Sequence, residues 1–281
     1  MKSIGIDIGA SHIAGGIYDF DKKLLINKKY IINKSNNVSN SLIEIVEKII
    51  DIIILNSGED IGNISSIGIA CPGGVDVSKK IFYGSETLNV GKINFKKELQ
   101  KYNRNIYIEN DCTCAGICES YIRKLDNFII FTLGSDVGMS YIKDFQSSNQ
   151  IISELKRINN KEENTERYIK SFADLCNKYN NIKETQYTRG DFFKLIKNKD
   201  KFAKDILKEF VEDFAKGIRK IKNNYGIYKF CIGGGLSNYY RFYIDEVRIK
   251  TPECSVYIAK YKNDSGIIGA ALLEKWQTKF L

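Results

Sequence analysis

Two apolar runs joined by a turn of small residues open the chain: Ser3–Ile8, then Gly9-Ala10-Ser11-His12, then Ile13–Asp19. Strands that close in sequence can pair only antiparallel, because a parallel return needs a crossover of a dozen or more residues. Leu24–Ile32 reads as a third strand and makes a meander. The same device recurs at Asn127–Leu133 and Val137–Lys143, joined by Gly134-Ser135-Asp136. It is a repeat of architecture without a repeat of sequence.

Between and after these hairpins the apolar period changes to that of helices. Leu42, Ile45, Val46, Ile49, Ile50 and Ile53 predict an amphipathic helix over 39–55. Ile64–Ala70 and Ile106–Glu109 read as strands, Phe95–Tyr102 and Cys112–Arg123 as helices. Residues 145–190 read as polar and irregular. Phe202, Ile206, Phe210, Phe214, Ile218 and Ile221 line one face of a long helix. A strand at Lys229–Ile232, a helix at Asn238–Ile249, a strand at Ser255–Ala259 and a closing helix at Ser265–Phe280 follow. The expected fold is α/β, with one domain of residues 1–109 plus 265–281 and a second of 110–264. Two such halves would share a cleft for small molecules.

Composition narrows the function. The 281 residues are 43% hydrophobic, enough for real cores. No apolar run approaches the ~20 residues that span a bilayer, and the first strand leaves no place for a signal peptide. A cytoplasmic protein is expected. Seven cysteines, an odd number in a long chain, argue for reduced, packed thiols. Cys112, Cys114 and Cys118 suggest a metal, but on a helix Cys112 turns ~200° away from Cys114, and no histidine is near. The net charge of +9 is spread along amphipathic helices, so a nucleic-acid surface is not expected.

Several short segments carry chemistry. Asp7-Ile-Gly-Ala-Ser-His12 could bring backbone N–H groups to phosphate oxygens, with Asp7 holding the water shell of Mg²⁺. It could equally be an ordinary hairpin turn. Thr132-Leu-Gly-Ser-Asp-Val-Gly138 has the same two readings. Ile232-Gly-Gly-Gly-Leu-Ser237, between a strand and a helix, has more glycine than a turn needs, which favours close approach of a ligand. Asn110-Asp111 ends a strand. Asp111 could accept a proton from a hydroxyl, or cap the helix that follows.

The order DIGAS, CPGGVD, ENDCTCAGICE, FTLGSDVG, CIGGGLS and NDSGIIGAALL resembles the ROK family of bacterial sugar kinases and sugar-responsive repressors. The resemblance covers 1–143 and about 189–273. It implies two ribonuclease H-like domains of the actin/hexokinase-like ATPase type, with a central cleft. It implies ATP and Mg²⁺, and a homodimer. Asp7, Gly9, Ala10, Ser11 and His12 would form the first phosphate loop, and Gly134, Ser135 and Gly138 the second. Gly233, Gly234 and Gly235 would lie at the nucleotide, Gly73 and Gly74 at the sugar. Asn110 would bind a sugar hydroxyl and Asp111 would be the catalytic base.

The sequence also departs from that pattern. Ser153-Glu-Leu-Lys-Arg157 stands where the family carries Gly-Glu-Ile-Gly-His, so Glu154 and Arg157 are candidate sugar contacts. The zinc-binding cysteines that should follow are missing, and no zinc site is expected. Glu166, in Glu166-Arg-Tyr168, is a further candidate, although Glu154 and Glu166 also fit a solvated helix surface. Asp136 replaces a glycine of the second loop and would repel phosphates unless it points outward.

The expected function is ATP-dependent phosphorylation of a hexose or amino-hexose, glucokinase-like or N-acetylmannosamine kinase-like. The alternative is a weak or inactive relative that senses a sugar or nucleotide. A DNA-binding repressor would need a helix-turn-helix ahead of the first strand, where the sequence leaves no room. An ATPase that activates a dehydratase through a cysteine-bound cluster fits PGGVD and Asn-Asp less well.

Overall fold

The computed structural model describes residues 1–10, 12–32, 39–85, 88–148 and 168–278. They form two compact units, Met1–Lys124 with Asp264–Leu281, and Leu125–Asn263.

The first unit is built on β1 (Lys2–Ile8), β2 (His12–Asp19), β3 (Leu24–Ile32), β4 (Ile64–Cys71) and β8 (Asn105–Asn110). Their order in the sheet is β3-β2-β1-β4-β8. The first three run antiparallel, as the hairpin turn requires, while β1–β4 and β4–β8 are parallel. Helix α1 (Ser39–Ser57) connects β3 to β4. Its predicted stripe is buried at Leu42, Val46, Ile49, Ile50 and Ile53, while Ile45 is only partly covered. Each fully buried isoleucine contributes ~2 kcal/mol. Between β4 and β8 lie a small sheet, β5 (Val75–Asp76), β6 (Ile81–Phe82) and β7 (Ile93–Asn94), and a short helix, α2 (Phe95–Glu98).

The second unit repeats the plan. Strands β9 (Phe128–Leu133), β10 (Val137–Lys143), β11 (Gln146–Ser148), β12 (Lys229–Gly233) and β13 (Ser255–Ile258) stand in the order β11-β10-β9-β12-β13. Again the first three are antiparallel and the last two join in parallel. This is the ribonuclease H-like order expected of both halves. The long helix α6 (Lys201–Tyr225) supplies Phe210, Phe214 and Ile218 to a core that also holds Phe131 and Phe230.

Three expectations are corrected. The first unit runs past residue 109 and takes in α3 (Asp111–Arg123), which packs on the C-terminal helix α8 (Ser265–Ala271). The approach is so close that a Cβ on Gly269 would lie 1.8 Å from the Cys114 carbonyl oxygen. The described part of the stretch read as irregular holds β11, α4 (Phe172–Lys183) and the start of α5 (Arg189–Lys197). Both helices begin with capping boxes, Ser171 with Asp174 and Thr188 with Asp191, a spacing legible in the sequence. The closing helix is two pieces, α8 and α9 (Leu273–Gln277). Between them the Leu272 N–H is shared by the Ile268 and Gly269 carbonyls.

Glycines set how closely α8 lies on the first sheet. Gly5 pairs with Gly16 on one side and with Gly68 on the other, a row of three glycines across β2, β1 and β4. A Cβ on Gly68 would sit 1.8 Å from the Ala270 carbonyl oxygen, and one on Gly5 would sit 1.9 Å from that of Ile267. Backbone cannot yield that far without moving the helix. Gly68→Ala is therefore expected to destabilise the protein by at least ~3 kcal/mol. Urea unfolding would measure it; a change below ~1 kcal/mol would show that α8 is free to shift. Among the described residues no helix is long and apolar enough to cross a membrane.

Candidate active site

Side chains alternate along a strand, so Asp7 shares the face of Gly5, the face covered by α8. Asp7 pairs with Ala14 of β2 and Ala70 of β4; Tyr30 and Glu109 continue the row outward. The two flanking alanines, Ala14 and Ala70, are buried. The carboxylate lies against the first turn of α8, where a Cβ on Gly266 would be 2.4 Å from Asp7 Oδ2. Dense surroundings, and then the charges of Asp111 and Asp264, push the Asp7 carboxyl up to about 8. All three aspartates belong to the first unit.

Asp111 is the first residue of α3, not its cap. Asn110 caps the helix: its Oδ1 accepts from the N–H groups of Cys112 and Thr113, at 3.0 and 3.2 Å. Asn110 has the extended backbone that a cap needs, whereas Asp111 is already helical. Asp111 Oδ1 accepts from the Cys112 N–H at 2.8 Å. That bond and the positive end of the helix dipole place partial positive charge beside the carboxylate. Asn110 Nδ2 donates to the Gly73 carbonyl at 3.2 Å, so Asn110 also ties the PGG segment to the end of β8. Losing the cap in Asn110→Ala is expected to cost ~1–2 kcal/mol by chemical unfolding. An unchanged midpoint would show that the two N–H groups find water.

Glu109 accepts from the Asn110 N–H at 2.8 Å, and burial raises its carboxyl. Asp264 was missed by sequence reading although it stands inside NDSGIIG. It accepts from Lys28 Nζ at 2.8 and 2.9 Å and from the Tyr30 hydroxyl at 2.7 Å. A lysine two residues before a tyrosine on one strand face is the signal that could have found the pair.

The loops behave unequally. The Gly9 N–H bonds to the His12 carbonyl at 3.0 Å, so it is used by the hairpin turn and not held open for a phosphate. Ala10 packs on the first core, and the His12 ring lies 5.6 Å from that of Tyr30. In the second unit, the Gly134 N–H bonds to the Asp136 carbonyl, yet a Cβ on Gly134 would meet nothing within 4 Å. Ser135 Oγ accepts from Arg189 at 3.2 Å, and Gly138 pairs with Thr132. Asp136 is exposed, and its Oδ1 accepts from the Val137 N–H at 2.8 Å.

Of the glycine triplet only Gly234 is fixed by conformation. Its φ is +72°, and a Cβ would lie 2.7 Å from the Leu133 nitrogen. Around Gly233 and Gly235 the nearest atoms are 3.7 and 3.4 Å from a built Cβ, so those two are not demanded by packing. The segment opens a 3-10 helix, Gly235–Phe242, followed by α7 (Ile244–Lys250), where one helix over Asn238–Ile249 was expected. In the loop after β4, Gly73 has φ +119° with the Gly84 carbonyl 2.9 Å from its built Cβ, while Gly74 has open space. Ser11, Glu154, Arg157 and Glu166 lie outside the described residues.

The charges of Asp111 and Asp264 both act on the Asp7 carboxyl. Among the described residues no three His, Cys, Asp or Glu side chains converge to ligate an ion directly. The residues therefore fit a hydrated divalent ion held through its waters.

The ROK family model matches residues 3–147 and 165–277. A ROK family glucokinase from Streptomyces griseus, solved with glucose and AMPPNP, superposes with a TM-score of 0.82 at 16% identity, covering 98% of this chain and 100% of that one. A ROK family transcriptional regulator, a homologue of the E. coli MLC protein, superposes with a TM-score of 0.79 at 14% identity, over 98% of this chain and 78% of that one. At such identities the likeness speaks for the fold. The xylose repressor of Bacillus spizizenii is 24% identical over 144 residues, 50% of this chain and 37% of the repressor's own length.

Proposed function

Because the chain belongs to the ROK family, we propose that it is a kinase that transfers the terminal phosphoryl group of ATP to a hydroxyl of a hexose or amino-hexose. The observation that carries this reading is the meeting of Asp111 with Asp7 in one unit, close enough for Asp111 to raise the Asp7 carboxyl. Asp111 takes the proton of the sugar hydroxyl as its oxygen attacks the γ-phosphorus, and ADP leaves. Asn110, fixed between the α3 N–H groups and Gly73, holds the base at the end of β8. Gly73 and Gly74, and Glu154, Arg157 and Glu166, take sugar hydroxyls.

In the second unit Gly134, with open space around it, and Ser135, Gly138, Gly233, Gly234 and Gly235 take phosphate and nucleotide in this reading. In the first unit Asp7 would hold the water shell of Mg²⁺, which would supply neutralisation of phosphate charge when bound. Ala10, Ser11 and His12 complete that loop. A sugar panel in an ADP-coupled assay tests the reading, with Asp111→Asn as control. Turnover of one sugar by the native protein alone supports it; equal rates in both proteins would sink it.

A second reading is a sensor that binds sugar or nucleotide without turnover. Asp136 in the second loop and the likeness to regulators favour it. Calorimetric binding with no ADP release from any sugar would select it over the kinase.

A further inference from the structure

The second unit holds a cavity of about 420 Å³ that the kinase reading does not use. Its walls are Lys197 at the end of α5, Tyr239, Tyr240, Arg241 and Phe242 of the 3-10 helix, and Lys262 from the turn after β13. Three cations line it and no carboxylate does. None of Gly134, Ser135, Gly138 and the triplet Gly233–Gly235 contributes to it.

Elsewhere on this unit some cations are paired with carboxylates and others are not. Lys170 and Lys178 share Glu209, Lys250 bonds Glu212, and Lys194 bonds Asp191. Among the described residues Lys197, Arg241 and Lys262 have no such partner. Lys262 and Arg241 are instead gathered at one aromatic ring. Lys262 Nζ lies 5.5 Å and Arg241 Cζ 5.9 Å from the centre of the Tyr240 ring. The hydrogen bond from Arg241 and the nearby cations draw the Tyr240 hydroxyl below its ordinary value, which reports a positive local field. Lys262 also sits at φ +52°, a conformation that asparagine or glycine adopts more cheaply. Tyr239 stacks flat on Phe193, with centroids 4.3 Å apart and planes 8° apart, so one wall is rigid.

We propose that this cavity is a second anion site, separate from the glycine loops, whose ligand is a small oligophosphate. Separated cations at one concavity match a chain of charged oxygens better than a single carboxylate, and hydroxyl-bearing rings add donors between them. The proposal stands independently of the kinase reading.

Sodium tripolyphosphate is the probe, titrated calorimetrically at low salt into the full chain with and without AMPPNP. The comparison variant is Arg241→Gln with Lys262→Asn; asparagine suits the φ at 262, so folding is retained, as circular dichroism would verify. The expected result is saturable binding of one tripolyphosphate, unaffected by AMPPNP and at least 10-fold weaker in the variant. Absence of saturable binding, equal affinity in the variant, or displacement by AMPPNP would each overturn the site. Displacement by a short DNA duplex at equal phosphate concentration would overturn the small-ligand assignment.

Discussion

Asp111→Asn is expected to leave the fold intact and to lower phosphoryl transfer to the sugar by about 10³-fold, within the range for loss of a general base. The fold survives because Asn110, not Asp111, caps α3, and an asparagine oxygen at 111 still accepts the Cys112 N–H. Activity falls because an amide cannot take the hydroxyl proton. Binding of nucleotide should persist. A readout independent of turnover follows from the charge arrangement. With the Asp111 charge gone, the Asp7 carboxyl should titrate below the value of about 8 that it has beside Asp111. Carboxyl-selective NMR titration would measure it. An unmoved Asp7 would mean that the two groups do not sense one another, and the catalytic pairing would fall with it.

Asp7→Asn is expected to abolish turnover and, in metal-free buffer, to stabilise the protein. The Asp7 carboxyl rises from 3.8 to about 8 on folding. Below pH ~4 it is protonated in both folded and unfolded chains and has no effect. Between ~4 and ~8 the unfolded chain has lost the proton while the native state keeps it, so stability falls as pH rises. Above ~8 both states are ionised and the penalty is complete. At ~1.4 kcal/mol per pH unit the ceiling is ~6 kcal/mol. Partial exposure of Asp7 and relaxation of its neighbours reduce the expected gain to ~2–3 kcal/mol at pH 8. Thermal unfolding from pH 4 to 9 tests it: the variant's advantage should be absent at pH 4 and largest at pH 8. A constant advantage would assign the effect to packing instead of ionisation. The aspartate is thus retained at a cost to stability, as expected of a group kept for binding a charged ligand.

Much of this was legible in the residues. The paired hairpins dictated antiparallel strands in each half, and apolar periodicity located α1 and α6 within a few residues. Motif order identified the family before any coordinate was needed. The helices α4 and α5 were missed because their polar faces obscured the period, although their capping boxes were present. Asp264 was missed because a lone aspartate before GIIGAA reads first as a cap.

Sequence by itself determined the long strands, the antiparallel sense of the hairpins and the family, because hydrophobic period and turn length act locally and admit few topologies. It did not reveal that glycines at 5, 68 and 269 set the depth of α8, nor that the Gly9 N–H is used by its own turn. It also left open whether Asn110 or Asp111 caps α3. Those are matters of distances between segments far apart in the chain. Only the tertiary structure brings residues 7, 111 and 264 within reach of one another's charge.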